Sequence, residues 1–90
     1  MRTRKEILQL LLDNIDTLTL GLCGLAWRLN NLRMISLEEC LDIREYIKSQ
    51  RPKKTYKGYG HDYYWMPGNV KPRINWLKLH IEMNTDINNK

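Results

Sequence analysis

Apolar residues in the N-terminal third of the chain recur every three or four positions, which is the spacing of one face of an α-helix. The repeated positions are Ile7, Leu11, Ile15, Leu18, Leu22, Leu25, Leu29 and Leu32. Thr3 and Glu6 precede them in the order of a capping box, in which the side chains of the cap and of the third helical residue exchange hydrogen bonds with backbone amides. The pattern predicts a long first helix that begins at Thr3 and ends near Arg33.

A first helix of this length either breaks or packs against a partner, and the sequence leaves open whether it is continuous. A continuous helix of that length would span about 45 Å, which is long for a domain of this size. Asp16 and Thr17 offer a new N-cap, and Gly21 and Gly24 each weaken a helix interior by about 1 kcal/mol relative to Ala.

Extra leucines widen the apolar face of the N-terminal helix until it runs nearly all round. They are Leu8, Leu10 and Leu12. A helix that packs on one side only does not need so wide a face. A chain this short is also marginally stable by itself. We therefore expect a homo-oligomer that forms through this leucine-rich N-terminal helix.

A second helix is predicted from Ser36, which forms a second capping-box pattern with Glu39. Its apolar positions are Leu37, Cys40, Leu41, Ile43, Tyr46 and Ile47. The acidic positions expected on the opposite side are Glu38, Glu39, Asp42 and Glu45. Pro52 ends the helix, because the residue before a proline avoids the α conformation. The first two helices are expected to form an antiparallel hairpin.

Residues 51–70, RPKKTYKGYGHDYYWMPGNV, contain several Gly and Pro residues and show no sustained period, so a long loop is predicted. Loops of this length are usually functional or disordered, and the aromatic content of this one argues against disorder. A third helix follows, with Pro72 in its first turn and Ile74, Leu77 and Ile81 at helical spacing beside Trp76. The polar tail, residues 84–90, is expected to fray. The predicted fold is one all-α domain of three helices over residues 1–90.

The composition indicates a small soluble domain, with 90 residues, 42% of them apolar and 28% charged. Cys23 and Cys40 lie within helical patterns, and no secretory signal precedes them. We therefore expect free thiols that face each other across the hairpin in a reducing cytoplasm. The longest apolar run, residues 18–27, is interrupted by polar residues and glycines, so no membrane association is expected.

The positive charge is concentrated in one part of the chain. The formal net charge is +5, and it divides into −1 over residues 1–47, +6 over residues 48–73 and zero over residues 74–90. The excess of cations therefore lies in and around the predicted loop, where Tyr, Trp and His residues are interleaved with lysines. Cations for phosphates and flat rings for bases are the two requirements of nucleotide or single-strand recognition.

The loop thus predicts a binding site for an anionic, nucleotide-type ligand. The candidate ligand-binding residues are Lys53, Lys54, Tyr56, Lys57, Tyr59, His61, Tyr63, Trp65 and Arg73. The alternative is that the charged loop is only a solvated surface and that Tyr64, Trp65 and Trp76 pack in the core.

Catalytic and metal sites are not expected. His61 and Asp62 are adjacent in sequence and rarely point at one another, and no nucleophile stands in a recognisable motif. The His and Cys residues lack the paired spacing of a metal site, no cofactor motif is present, and His80 is expected at or near the surface. A helix-turn-helix is also disfavoured, because the acids of the second helix would face phosphates.

Three strings in the sequence carry a resemblance to a known group of proteins: GLCGLAWRLNNLRMISLEECLDIREYI, YYWMPG and VKPRINWLKLHI. Together they resemble small bacteriophage-encoded accessory proteins over about residues 20–82. The resemblance implies a protein that acts in the cytoplasm of an infected bacterial host, and it assigns no catalytic residue.

The resulting expectation is a non-enzymatic phage counter-defence protein that sequesters an anionic nucleotide-type ligand, with a cyclic nucleotide immune signal as the leading candidate. One alternative is an inhibitor that docks the same basic loop on a host defence protein complex. The other is a structural or assembly component of the phage particle.

Overall fold

The structure, a computed structural model, describes residues 1–15, 21–50 and 70–86. These residues form four α-helices and no β-strand, which confirms the predicted all-α class. The helices are α1 (Arg4–Asp13), α2 (Leu22–Asn31), α3 (Leu37–Gln50) and α4 (Val70–Asp86).

The predicted first helix is two helices in the structure, so the described residues hold four helices rather than three. α1 ends at Asp13, and the side-chain amide of Asn14 donates to the carbonyl oxygen of Leu10 at 2.8 Å. α2 begins after Gly21, whose extended backbone (φ −71°, ψ 174°) caps the helix. Gly21 is one of the positions at which the sequence predicts a break.

Both predicted capping boxes are confirmed. At α1 the amide of Glu6 donates to Oγ1 of Thr3 at 3.2 Å, and the amide of Thr3 donates to Oε1 of Glu6 at 2.8 Å. At α3 the amide of Glu39 donates to Oγ of Ser36 at 3.0 Å, and the amide of Ser36 donates to Oε1 of Glu39 at 2.8 Å. Each box satisfies amides that the first turn of a helix leaves without partners.

α2 ends in a Schellman motif. The amide of Met34 donates to the carbonyl oxygen of Leu29, and the amide of Arg33 donates to that of Asn30, both at 2.9 Å. Arg33 occupies the left-handed position of this motif, with φ at 63°. Left-handed backbone is unfavourable for a residue with a Cβ atom, which is why this position usually holds Gly.

We therefore expect Arg33→Gly to raise the free energy of unfolding by up to about 1 kcal/mol, because it removes the Cβ clash at an exposed position. Urea denaturation followed by circular dichroism measures the change. Asn31→Gly, at the last residue of α2, is the matched control and should lower the free energy of unfolding by a few tenths of a kcal/mol. Equal destabilisation by both variants would contradict the left-handed assignment.

The four helices share one core. Its buried apolar residues are Ile7, Leu8, Leu11, Leu22, Leu25, Ala26, Leu29, Ile35, Cys40, Ile43, Ile47, Trp76 and Leu77. α1 packs chiefly against α4, α2 packs chiefly against α3, and smaller contacts join α1 to α2 and α3. Of the predicted apolar stripe, Leu32 is exposed because α2 has already ended there.

The leucine-rich face of α1 packs within the chain. Leu8 and Leu11 are fully buried, and Leu10 and Leu12 are half-buried against the same core. The wide apolar face of α1 therefore packs against α4, α2 and α3 of the same chain. An oligomer through α1 stays a prediction, and the face that suggested it is already packed.

The burial of α3 differs from its predicted pattern. Leu37 and Leu41, predicted on the apolar side, are 53% and 45% exposed, whereas Glu39, predicted among the exposed acids, is 2% exposed. Glu39 is buried against the residues that precede α1, where Arg2 pairs with it. The residues of α3 that enter the core are Cys40, Ile43 and Ile47.

α4 extends further than the sequence predicts. Trp76 and Leu77 are in the core as expected, but the helix continues to Asp86, into the tail that is predicted to fray. Asn84 donates to the carbonyl oxygen of His80 at 2.7 Å, and Thr85 donates to that of Ile81 at 2.8 Å. Both side chains bond to a carbonyl oxygen one turn earlier, within the last turns of the helix.

The two cysteines carry free thiols, with Cys40 buried and Cys23 half-buried. Burial raises the pKa of the Cys40 thiol above its ordinary value, so the neutral thiol is favoured. Within the described ranges, no helix has the length and hydropathy that crossing a membrane requires.

Candidate ligand-binding site

A cluster of aromatic and polar side chains lies where α3 and α4 meet, near the C-terminal end of α3. We call it the Tyr46 cluster. Its members are Tyr46 of α3, Trp76, His80 and Asn84 of α4, and Arg4 of α1. Residues 51–69, which connect α3 to α4 in the sequence, are called the basic segment below.

Hydrogen bonds connect the polar members of the Tyr46 cluster. Oη of Tyr46 lies 2.7 Å from Nδ1 of His80, and Nδ2 of Asn84 donates to Oη of Tyr46 at 3.1 Å. A phenol oxygen has two lone pairs and one hydrogen, so Oη of Tyr46 can accept from Asn84 and also donate its hydrogen to an unprotonated Nδ1 of His80. This arrangement corresponds to a neutral His80 with its proton on Nε2.

The rings of the cluster pack closely. The Trp76 and His80 rings stack with centroids 4.0 Å apart, and Tyr46 meets them edge-on at 6.2 and 5.5 Å. The guanidinium of Arg4 lies 4.4 Å from the centroid of the Tyr46 ring, a cation–π distance. Burial lowers the pKa of His80 from its ordinary value of 6.5, which favours the neutral imidazole.

The prediction that His80 lies at or near the surface is wrong. His80 is 4% exposed, and its polar atom is buried against Tyr46. Asn84, predicted to belong to a frayed tail, is part of the same network. The one sequence signal for this network is that Trp76, His80 and Asn84 follow each other at intervals of four, which places them on one face of a helix.

The cluster also joins the end of α3 to α4. The indole Nε1 of Trp76 donates to the carbonyl oxygen of Gln50, the last residue of α3, at 3.4 Å. Tyr46 meets His80 and Gln50 meets Trp76, so position numbers rise along α3 as they fall along α4. α3 and α4 are therefore antiparallel, so the last residue of α3, Gln50, and the first residue of α4, Val70, lie toward the same end of the helix pair.

Two exposed lysines lie near this end of the helix pair. Lys48 in the last turn of α3 and Lys71 in the first turn of α4 are both exposed. Arg73, the one predicted ligand-binding residue that the structure describes, is completely buried and has interaction partners within the protein. It lies one turn before Trp76 and Leu77 and is thus placed beneath this end rather than on its surface.

The other predicted ligand-binding residues fall outside the described ranges. They are Lys53, Lys54, Tyr56, Lys57, Tyr59, His61, Tyr63 and Trp65. Tyr64, the remaining residue of the alternative core prediction, also falls outside them, whereas Trp76 is confirmed as a core residue.

The strongest charged network in the described residues has a structural role. The buried carboxylate of Glu39 accepts from the amide of Arg2 at 2.6 Å, from Nη1 of Arg2 at 3.0 Å and from the amide of Ser36 at 2.8 Å. These hydrogen bonds, led by that from Ser36, lower the pKa of Glu39 to about 2. An open cleft of about 520 Å³ lies beside this network, between Met1, Glu6 and Ser36, with the charges of Arg2 and Glu39 already paired.

Metal or acid–base chemistry finds no support in the part of the chain that the structure describes. No three His, Cys, Asp or Glu side chains there are grouped closely enough to hold a metal ion. Nδ1 of His80 is engaged by Tyr46, so a base role for this nitrogen would require breaking the Tyr46 cluster.

No protein-family model, curated protein or solved structure matches this chain. The resemblance to small bacteriophage accessory proteins therefore remains an expectation from the sequence.

Proposed function

We propose that this protein is a non-enzymatic binding protein that sequesters an anionic nucleotide-type ligand through residues 48–73. A cyclic nucleotide signal is the leading ligand, and the role would be that of a phage counter-defence protein in the cytoplasm of an infected bacterium, as the sequence resemblance implies. The single observation that carries the proposal is the net charge of +6 over residues 48–73, or +5 without the buried Arg73, interleaved with aromatic residues.

The helical scaffold supports this proposal by holding both ends of the basic segment together. The bond from Trp76 to Gln50 and the Tyr46–His80 contact fix the end of α3 against α4. A segment with both ends fixed loses less conformational entropy when it binds a ligand than a free tail does. The exposed Lys48 and Lys71 add positive charge on both sides of the segment.

We expect Lys54→Glu to weaken binding of the nucleotide ligand at least tenfold, because it replaces an attraction for phosphate with a repulsion. The helical circular dichroism should not change. Native mass spectrometry against a panel of linear and cyclic nucleotides identifies the ligand, and calorimetric titration then measures affinity.

Lys5→Glu makes the same charge change in the first turn of α1, where an acid is favourable to the helix dipole. This control should bind as the unmodified protein does. Equal affinity of the Lys54→Glu variant and the unmodified protein would remove Lys54 from the site. A wild-type protein that binds no nucleotide in the panel, but captures a host protein from nuclease-treated lysate, would favour the inhibitor alternative instead.

Salt dependence separates a small ligand from a polynucleotide. Binding to a nucleic acid through several phosphates weakens steeply as salt rises, whereas an enclosed mononucleotide or cyclic dinucleotide gives a shallower slope.

A further inference from the structure

One exposed side of α4 carries two of the most exposed large apolar side chains in the described residues. Leu79 is 54% exposed and Met83 is 48% exposed. They are four positions apart, so they lie one turn apart on the same face. On the helix surface this pair lies beside Trp76, at the edge of the face formed by Trp76, Leu77 and His80, which enters the core.

Two opposite charges flank this apolar pair on one side. Lys78 and Glu82 are both exposed, and neither forms an ion pair within the described part of the chain. They are also four positions apart and lie on the same flank of Leu79 and Met83. We call these four residues the α4 stripe.

The α4 stripe is self-complementary. When two copies of a helix meet face to face and antiparallel, a two-fold axis passes between them and the same flank of each helix lies on the same side. An axis beside position 80 places Lys78 of one copy opposite Glu82 of the other, and the reverse pair forms by symmetry. Leu79 of one copy then lies between Leu79 and Met83 of the second copy.

We propose that the α4 stripe is the contact of a homodimer, in which α4 packs antiparallel against α4 of a second copy of this chain. Isologous interfaces require a surface that matches itself in both shape and charge, and the stripe provides both. The contact lies on α4, away from the leucine-rich face of α1 that is used within the chain.

The other exposed apolar pair, Leu37 and Leu41 on α3, does not meet the same requirement. An antiparallel α3 pair that joins Leu37 to Leu41 of the second copy places the two Glu38 carboxylates near each other on one flank. Like charges at close range oppose association. This difference selects the α4 stripe and makes Leu41 a matched control.

The geometry also determines how the two basic segments are arranged in the dimer. The first turn of α4, Val70, is ten residues from the axis, which is about 15 Å along the helix at 1.5 Å per residue. The two segments therefore join α4 at points about 30 Å apart on opposite ends of the helix pair.

A pair of helices of this length buries an area at the low end of specific interfaces, so the dimer should dissociate at micromolar concentrations. Sedimentation velocity over a concentration series measures the monomer–dimer equilibrium. Leu79→Glu should raise the dissociation constant at least tenfold with an unchanged circular dichroism spectrum. Leu41→Glu makes the same change at a comparably exposed position on α3 and should leave the equilibrium unchanged.

The charge pairing has a sharper test. Lys78→Glu alone and Glu82→Lys alone each place like charges across the axis and should each weaken the homodimer. An equimolar mixture of the two variants forms both opposite-charge pairs, so it should restore dimers that native mass spectrometry identifies as mixed.

Three results would overturn the proposal: a wild-type chain that stays monomeric up to about 1 mM, the weak limit of specific association; dissociation by Leu41→Glu but not by Leu79→Glu; or a variant mixture that forms no mixed dimer.

Discussion

Replacement of Trp76 by Ala is expected to lower the free energy of unfolding by about 3 to 5 kcal/mol, the range for a large aromatic residue removed from a core. Trp76 is 8% exposed, and its ring stacks on His80 at 4.0 Å and meets Tyr46 edge-on. The variant leaves a cavity beside two rings and removes the donor to the carbonyl oxygen of Gln50. Small domains are stable by only about 5 to 15 kcal/mol, so much of the total is lost.

The matched control is Trp27→Ala. Trp27 is 37% exposed on α2, and the guanidinium of Arg44 lies 5.0 Å from its ring centroid. Its removal should cost about 1 kcal/mol, since only a partly exposed cation–π contact and modest burial are lost. Trp76→Phe retains an aromatic ring on His80 but not the indole N–H, so an intermediate loss is expected.

Urea denaturation followed by circular dichroism at 222 nm measures all three Trp variants without relying on Trp fluorescence, which the substitutions themselves change. If Trp76→Ala and Trp27→Ala destabilised the protein equally, Trp76 would not be the core residue that joins α4 to α3.

Replacement of Glu39 by Gln should lower the free energy of unfolding by about 2 kcal/mol at neutral pH. The buried carboxylate accepts three hydrogen bonds, two from Arg2 and one from the amide of Ser36, and a side-chain amide offers one acceptor oxygen in place of two. The control, Glu38→Gln, changes an exposed acid in the same turn of α3 and should cost less than about 0.5 kcal/mol.

The pH dependence of the free energy of unfolding measures the contribution of the Glu39 carboxylate. Its pKa in the folded protein is about 2, against an ordinary value of 4.5. The unfolded chain therefore binds the proton more tightly, so this stabilisation is complete above pH 4.5 and is lost as the pH falls toward 2. The difference in stability between wild type and Glu39→Gln should shrink over this window, and a difference independent of pH would contradict the paired carboxylate.

His80 acts in a different pH range. Burial lowers its pKa below 6.5, so its contribution to stability is complete above that pH and decreases as the pH falls below it. This decrease occurs in both wild type and Glu39→Gln, and it cancels in the comparison between them.

Local chemistry made the helix starts predictable. Thr3 with Glu6 and Ser36 with Glu39 are separated by three residues, so their hydrogen bonds depend on nothing distant in sequence. Gly21 was likewise a predictable break, because glycine is a weak residue for a helix interior. That α1 and α2 are separate helices was left open by the sequence, since the apolar repeat continues through both.

The direction in which α3 faces was not predictable from its own residues. Its apolar and acidic positions are compatible with more than one orientation, and the neighbours α1 and α2 decide which side is buried. Glu39 is buried where it pairs with Arg2, which is 37 residues away in sequence, while Leu37 and Leu41 are exposed.

The candidate site was likewise predictable only in part. The clustering of charge over residues 48–73 follows from counting residues, and it remains the basis of the functional proposal. The Tyr46 cluster could not be found by counting, because Tyr46 is 34 residues from His80 and 38 from Asn84. Arg73 was grouped with the surface cations by its position in the sequence, whereas its helix directs it inward.

The packing of α1 against α4 has a consequence for synthesis of the chain on the ribosome. α1 is synthesised before α2 and α3, but its principal partner, α4, emerges after both of them. Until then the buried side chains of Ile7, Leu8 and Leu11 lack part of their cover, and an unfinished chain presents apolar surface to chaperones and proteases. Cooperative folding therefore requires α4. Nascent chains that stop before Trp76 and Leu77 should be degraded rather than accumulate as a three-helix fragment.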